Sequence, residues 1–177
     1  SKERVYLSDD NTTGFMKYYD GGRYAFAALL PEEGVSLEDY VAGLTGGKLH
    51  ALLNGHCYGT VEAAIPRFTA SSSLELSDAL KAMGVTDAFD ASRADLRAMG
   101  SAPNDQLYVS AVLHKTYLSL DENGTKAAAV TAVVNEAGSA EPPEVYRVVL
   151  DRPFVYMIVD THANLPLFLG TVTQMDG

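Results

Sequence analysis

Leu107–Leu120, LYVSAVLHKTYLSL, runs into Asp121-Glu122-Asn123-Gly124 and then into Thr125–Val134, TKAAAVTAVV; this stretch decides how the chain folds. The first part is aliphatic and rich in β-branched and aromatic residues, which predicts a buried strand. Asn123-Gly124 predicts a turn, because both residues tolerate positive φ. The segment after it is ambiguous. Ala127-Ala128-Ala129 is poor strand material and good helix material. Small side chains with no committed preference are compatible with two conformations, and a plain β-hairpin is the simplest reading of these residues taken alone.

Working outward, strand and helix signals alternate along the rest of the chain. Gly14–Tyr19 and Arg23–Leu30 read as strands around the turn Asp20-Gly21-Gly22. Ser36 is a suitable helix N-cap, with Leu37, Tyr40, Val41 and Leu44 at helical spacing behind it. Gly46-Gly47 breaks that helix, and a shorter one, Lys48–Leu53, follows. Thr60–Ala70 is strand-like. Leu76–Met83 is helical, with Ser73 or Ser77 as candidate caps and Gly84 at its end. Val145–Leu150, Phe154–Val159 and Leu167–Val172 complete a strand-rich final third. Together these predict an α+β fold with mostly antiparallel sheet and a few short helices. No repeat, linker or composition break divides the chain, so residues 1–177 are expected to belong to one domain.

Charge and cysteine content narrow the function classes. Thirteen basic residues stand against 23 acidic ones, a net charge of −10. That balance argues against nucleic acid or an anionic membrane as the main partner. Apolar runs such as Tyr24–Leu30 are too short to span a bilayer. The N-terminus is polar and without an initiator Met, which fits a chain that begins within something longer. Cys57 is the sole cysteine, so no internal disulfide forms.

No constellation of catalytic residues emerges. His50, His56 and Cys57 lie close in sequence, but no second cluster completes a metal site, and no cofactor is expected. Ser71-Ser72-Ser73 carries no nucleophile elbow and reads as a polar strand-to-helix connection. Glu32-Glu33 and Asp9-Asp10 sit in turn contexts, and the glycines form no phosphate loop. The chain is not expected to be an enzyme.

Glu122-Asn123-Gly124-Thr125-Lys126-Ala127-Ala128-Ala129-Val130-Thr131 resembles the reactive-loop hinge of inhibitory serpins, Glu-x-Gly-Thr-x-Ala-Ala-Ala-x-Thr. Other blocks follow the order of that family. Ile65-Pro66-Arg67-Phe68 resembles its Leu-Pro-Lys-Phe, and Ser110–Lys115 resembles a strand of central sheet A that carries a buried histidine. Ala82–Phe89 with Ala94-Asp95-Leu96, Asp151-Arg152-Pro153-Phe154 and Pro166-Leu167-Phe168-Leu169-Gly170 are similar as well. The wording His114-Lys115-Thr116 is nearest the bacterial branch.

The resemblance implies the C-terminal half of a serpin, with its reactive loop over about 122–147. The family's mechanism is suicide-substrate inhibition of a serine endopeptidase, in which the cleaved loop inserts into sheet A. Glu122, Gly124, Thr125, Ala127, Ala128 and Ala129 would form the hinge. Counting from Glu122 puts the scissile bond between Gly138 and Ser139. Counting back from Pro153-Phe154 gives a point near Pro142, and the hinge-side count is preferred because sheet depth limits insertion length. Small residues there suit an elastase-like or subtilisin-like protease. Arg67 is expected to pair with Glu122, and His114 to be buried. The N-terminal half would come from a separate chain, or self-association would cover the exposed core. An extracellular or cell-surface location would follow from the family. The alternative is a non-inhibitory serpin-fold binding or structural module.

Overall fold

The computed structural model describes residues 1–100, 107–120 and 144–174. They fall into two compact units, Ser1–Phe68 with the described residues from Ser119 onward, and Thr69–Leu118.

The first unit is built on a seven-stranded sheet. Its strands are β1 (Lys2–Asp9), β2 (Thr12–Tyr18), β3 (Tyr24–Pro31), β4 (Cys57–Ala64), β7 (Val145–Val149), β8 (Phe154–Asp160) and β9 (Leu165–Val172), in the order β7-β4-β1-β2-β3-β8-β9. All neighbours are antiparallel except β4 and β7, which run parallel. β1 is a strand that sequence patterning missed, because its charged start, Lys2-Glu3-Arg4, breaks the apolar alternation. The Glu3 charge is met across the sheet by Lys17 on β2, Nζ to Oε1 2.7 Å, with both side chains little exposed. The β2–β3 connection turns at Gly21 and Gly22, φ +82° and +71°, a backbone that residues with a Cβ resist.

β3 and β8 are the middle of the apolar core. Seven of the eight residues in β3 are buried, which is why its run Ala25–Leu30 carries no polar alternation. One face, through Ala25, Ala27, Leu29, Val155, Met157 and Val159, packs with Tyr40, Leu49, Leu52 and Leu53 from two helices. These are α1 (Leu37–Gly43) and α2 (Gly46–Asn54). Ser36 caps α1, its Oγ accepting from the Asp39 N–H at 3.0 Å, and Thr45 caps α2 in the same way. α1 thus ends at Gly43, ahead of the expected break, and Gly46-Gly47 opens α2 instead of separating the two helices. On the other face, Phe15, Phe26 and Phe154 are buried, and Phe68 meets Phe154 edge-on at 5.6 Å.

The second unit holds most of the two-stranded sheet of β5 (Phe68–Glu75) and β6 (Leu113–Leu120), together with α3 (Ser77–Ala82) and the 3-10 turn Asp87–Phe89. The single strand expected over Thr60–Ala70 is two strands, β4 and β5, broken at Ile65-Pro66-Arg67, where proline cannot donate to a ladder. Ser71-Ser72-Ser73 lies within β5 and not in a connection, all three residues exposed. Likewise the strand expected from Leu107 begins only at Leu113.

Ser77 is the first residue of α3 and not its N-cap. It is buried, donating to the Glu75 carboxylate and accepting from the Val112 N–H at 3.0 Å. The hydrogen bond from its hydroxyl holds Glu75 below the usual carboxylate range. α3 ends as expected at Gly84, φ +99°. Val85 N–H bonds Leu80 O and Gly84 N–H bonds Lys81 O, which is the Schellman pattern.

Candidate functional site

Residues 121–143, which hold the hinge wording, lie between two described strands. β6 leads into them through Leu120, and β7 receives the chain at Val145. Glu122, Gly124, Thr125, Ala127, Ala128, Ala129, Gly138 and Ser139 all fall outside the described residues, as do the second arm of any hairpin and most of the expected loop, 122–147.

On the upstream side, β6 pairs with β5 alone among the described residues. A strand with one partner presents a row of free backbone donors and acceptors along its other edge, where a further strand can add. His114 sits on β6 and is exposed, against the expectation of a buried histidine. The strand around it stands, however: Leu113–Leu120 is extended and paired. Burying a side chain on a two-stranded ribbon takes a second layer over that face, and exposure runs through Leu113, His114, Lys115 and Tyr117 alike. Arg67 is exposed just before β5, and its expected partner Glu122 is not among the described residues.

The downstream root is built in more detail. Among the described residues β7 is an edge strand of five residues, held in the sheet by β4 alone. The Thr60 N–H donates to Glu144 O at 3.1 Å and the Leu150 N–H to Ala64 O at 3.0 Å, closing both ends of the pairing. Val148 and Leu150 are buried. The Tyr146 ring lies flat on the Tyr6 ring, centroids 3.9 Å apart and planes within 6°. Tyr6 belongs to β1, on the far side of β4, so the two rings meet across the intervening strand. Gly59 makes room: a Cβ there would stand 2.8 Å from Tyr146 Cε2 and 3.0 Å from Glu144 O. Tyr146 Oη then donates to Glu144 Oε2 at 2.6 Å. That bond, together with desolvation and the carboxylate charge, pushes the Tyr146 phenol up to about 12. Sequence reasoning passed over these residues, although a glycine inside a strand is a signal of close approach by another group.

Nothing else described forms a reaction centre. His56 Nδ1 is 2.9 Å from Leu53 O and its ring meets Tyr58 edge-on, while His50 contacts Asn54. Cys57 is exposed. Among the described residues no three His, Cys, Asp or Glu side chains are grouped to hold a metal, and no helix is long and apolar enough to cross a membrane. A cleft of about 600 Å³ lined by Asp9, Asp10, Asp39, Tyr40, Lys48 and Leu52 has two of its acids engaged locally. Asp39 takes the Ser36 hydroxyl and Asp9 the Asn11 N–H.

Comparison with known proteins gives a consistent result. Iris from Ixodes ricinus is 35% identical over 171 residues, covering 96% of this chain and 45% of that protein. Intracellular coagulation inhibitor 2 from Tachypleus tridentatus is 32% identical over 157 residues, 89% of this chain and 38% of the relative. Among solved structures, the native state of the thermophilic serpin Tengpin is similar with a TM-score of 0.77 at 39% identity, covering 99% of this chain and 45% of that one. The chain thus spans less than half the length of these relatives. A family model described as serpin, serine protease inhibitor, matches residues 2–175. The chain belongs to the serpin family.

Proposed function

We propose that this chain is the C-terminal, loop-bearing portion of an inhibitory serpin, nearest the bacterial branch, that traps a serine protease by reactive-loop insertion. The observation that carries the proposal is the hinge wording Glu122–Thr131, set between an upstream strand with an open edge and a downstream strand tied into the main sheet. The protease serine attacks the loop at Gly138–Ser139 and forms an acyl-enzyme. The scissile peptide breaks, the new amino terminus stays on the β7 side, and the carbonyl stays esterified to the protease. The hinge then adds beside β6 as a further strand. Ala127, Ala128 and Ala129 suit that step because small side chains enter between strands without obstruction. Insertion competes with hydrolysis of the ester, so the outcome is kinetic.

A strand that inserts needs a neighbour on each side, and the described residues supply one, β6. The second neighbour comes from an N-terminal portion, in the same polypeptide or as a separate chain. Small residues around Gly138 favour an elastase-like or subtilisin-like target. The test is incubation of the assembled protein with elastase or subtilisin, followed by denaturing electrophoresis. A covalent complex is expected, with the mass of the protease plus the inhibitor less the fragment released from Ser139 onward. Cleavage at the loop with full turnover and no complex would sink the proposal in favour of a non-inhibitory serpin-fold module. Mass spectrometry of the same sample shows whether a second polypeptide co-purifies.

A further inference from the structure

The downstream end of the loop is held by an unusual device for so short a strand. Among the described residues β7 has five residues and one neighbour, and edge strands of that kind fray readily because half of their backbone groups lack a strand partner. Here the ring of its second residue, Tyr146, reaches back over β4 and stacks on Tyr6 of β1, two strands away. Gly59 on β4 is the seat: no larger residue leaves space for the Tyr146 ring. The hydrogen bond to Glu144 fixes the ring from the loop side, at the last described residue before β7. The Tyr146 ring lies against a strand glycine and stacks on a second ring within 6° of parallel at 3.9 Å, and aromatic contact of that kind is a means of stabilising glycines in sheets.

We infer that Tyr6, Gly59 and Tyr146 form a clasp that positions the root of the reactive loop, so that a protease meets one bond in one register. The inference rests on the inhibitory function proposed above. The physical reason is preorganisation. With β7 clasped, the loop begins at a fixed point beyond Glu144, and the conformations open to the cleavage region are fewer. Without the clasp, β7 opens from the sheet edge, and neighbouring small-residue bonds between Ala137 and Pro142 become equally accessible. Tyr6, Gly59 and Tyr146 touch no reacting atom and are positioning residues.

Two readouts test this on the assembled protein. Hydrogen exchange of the 145–149 amides is compared among wild type, Tyr146→Ala, Gly59→Ala and Tyr146→Phe. Protection there is expected to fall about tenfold or more in the two alanine variants, while amides in β2, β3 and β8 keep theirs. Tyr146→Phe retains the stack and should restore protection most of the way to wild type. Equal exchange in wild type and Tyr146→Ala, or an equal loss in Tyr146→Phe and Tyr146→Ala, would overturn the clasp. Mass spectrometry of the loop after elastase treatment should show one cut in wild type and several in Tyr146→Ala, and a single unchanged cut in Tyr146→Ala would overturn the positioning role. Failure of the wild type to trap protease counts only against the inhibitory function, since the exchange measurement reads the clasp without any protease.

Discussion

Arg23, which leads into β3, lies 3.3 Å through its Nη2 from Oδ2 of Asp160 at the end of β8, across 137 residues of sequence. The other carboxylate oxygen accepts from the backbone N–H groups of His162 and Ala163 at 3.0 and 3.3 Å, organising the β8–β9 turn. Asp160 therefore links two turns at one end of the sheet. Its burial pushes the carboxyl up, but the bonds from Ala163, His162 and Arg23 together outweigh that and hold it below the usual aspartate value.

A lowered folded-state value means that Asp160 stabilises the fold above the ordinary aspartate range and loses that contribution as pH falls through its folded value. Asp160→Asn should be less stable than wild type at pH 7 in urea denaturation. The gap should narrow as pH is lowered below about 4, where the unfolded carboxylate also protonates. A gap that stayed constant from pH 7 to pH 3 would assign the effect to packing instead of charge.

Asp95 offers a cleaner titration. The Arg97 guanidinium donates to both of its oxygens, at 2.8 and 2.7 Å, and holds the carboxyl down to about 2. In an NMR titration, Asp95 should stay ionised to about pH 2 in wild type. In Arg97→Gln it should move up towards the usual aspartate value. Because both groups are exposed, salt should weaken the shift.

Phe154 is fully buried, in edge contact with Phe68. Truncation to Ala removes a ring that the close-packed sheet cannot collapse around, and about 3–5 kcal/mol of stability should go with it. Chemical denaturation at fixed pH measures the loss. A cost below 1 kcal/mol would place Phe154 outside the core.

For Ser36, loss of the cap is the issue. Ser36→Ala leaves the Asp39 N–H at the head of α1 without its side-chain acceptor, at a cost of about 1 kcal/mol. Ser36→Gly should cost only a few tenths, and Ser36→Asp, which can still accept, should be close to wild type.

Thr125 tests the hinge directly. As the first hinge residue after Gly124, its side chain is expected to turn inward when the loop inserts. Thr125→Arg would carry a guanidinium into that interior, and a rise of about 1.4 kcal/mol in the insertion barrier slows the step tenfold. The assembled variant should be cut at the loop and release its protease, acting as a substrate. Undiminished covalent trapping would show that residues 124–129 are not a hinge.

Local chemistry carried much of this fold. Ser36 before its apolar period, Gly84 after one, and Asp20-Gly21-Gly22 between two strands each act within a few residues of themselves, so their signals survive in the linear chain. The wording Glu122–Thr131 was legible only as a likeness to the serpin hinge, where the proposed insertion would ask for small residues at successive positions. What the linear chain did not carry depends on neighbours distant in sequence. The charged start of β1 is a strand because β2 and β4 flank it and Lys17 meets Glu3. His114 is exposed on a strand whose pattern predicted burial, because burial needs a second layer and a strand's own residues cannot supply it. Tyr6, Gly59 and Tyr146 stand far apart in the chain with no shared period. Only the strand order β7-β4-β1 brings the two rings together, with Tyr146 lying against a residue that has no side chain to keep it away.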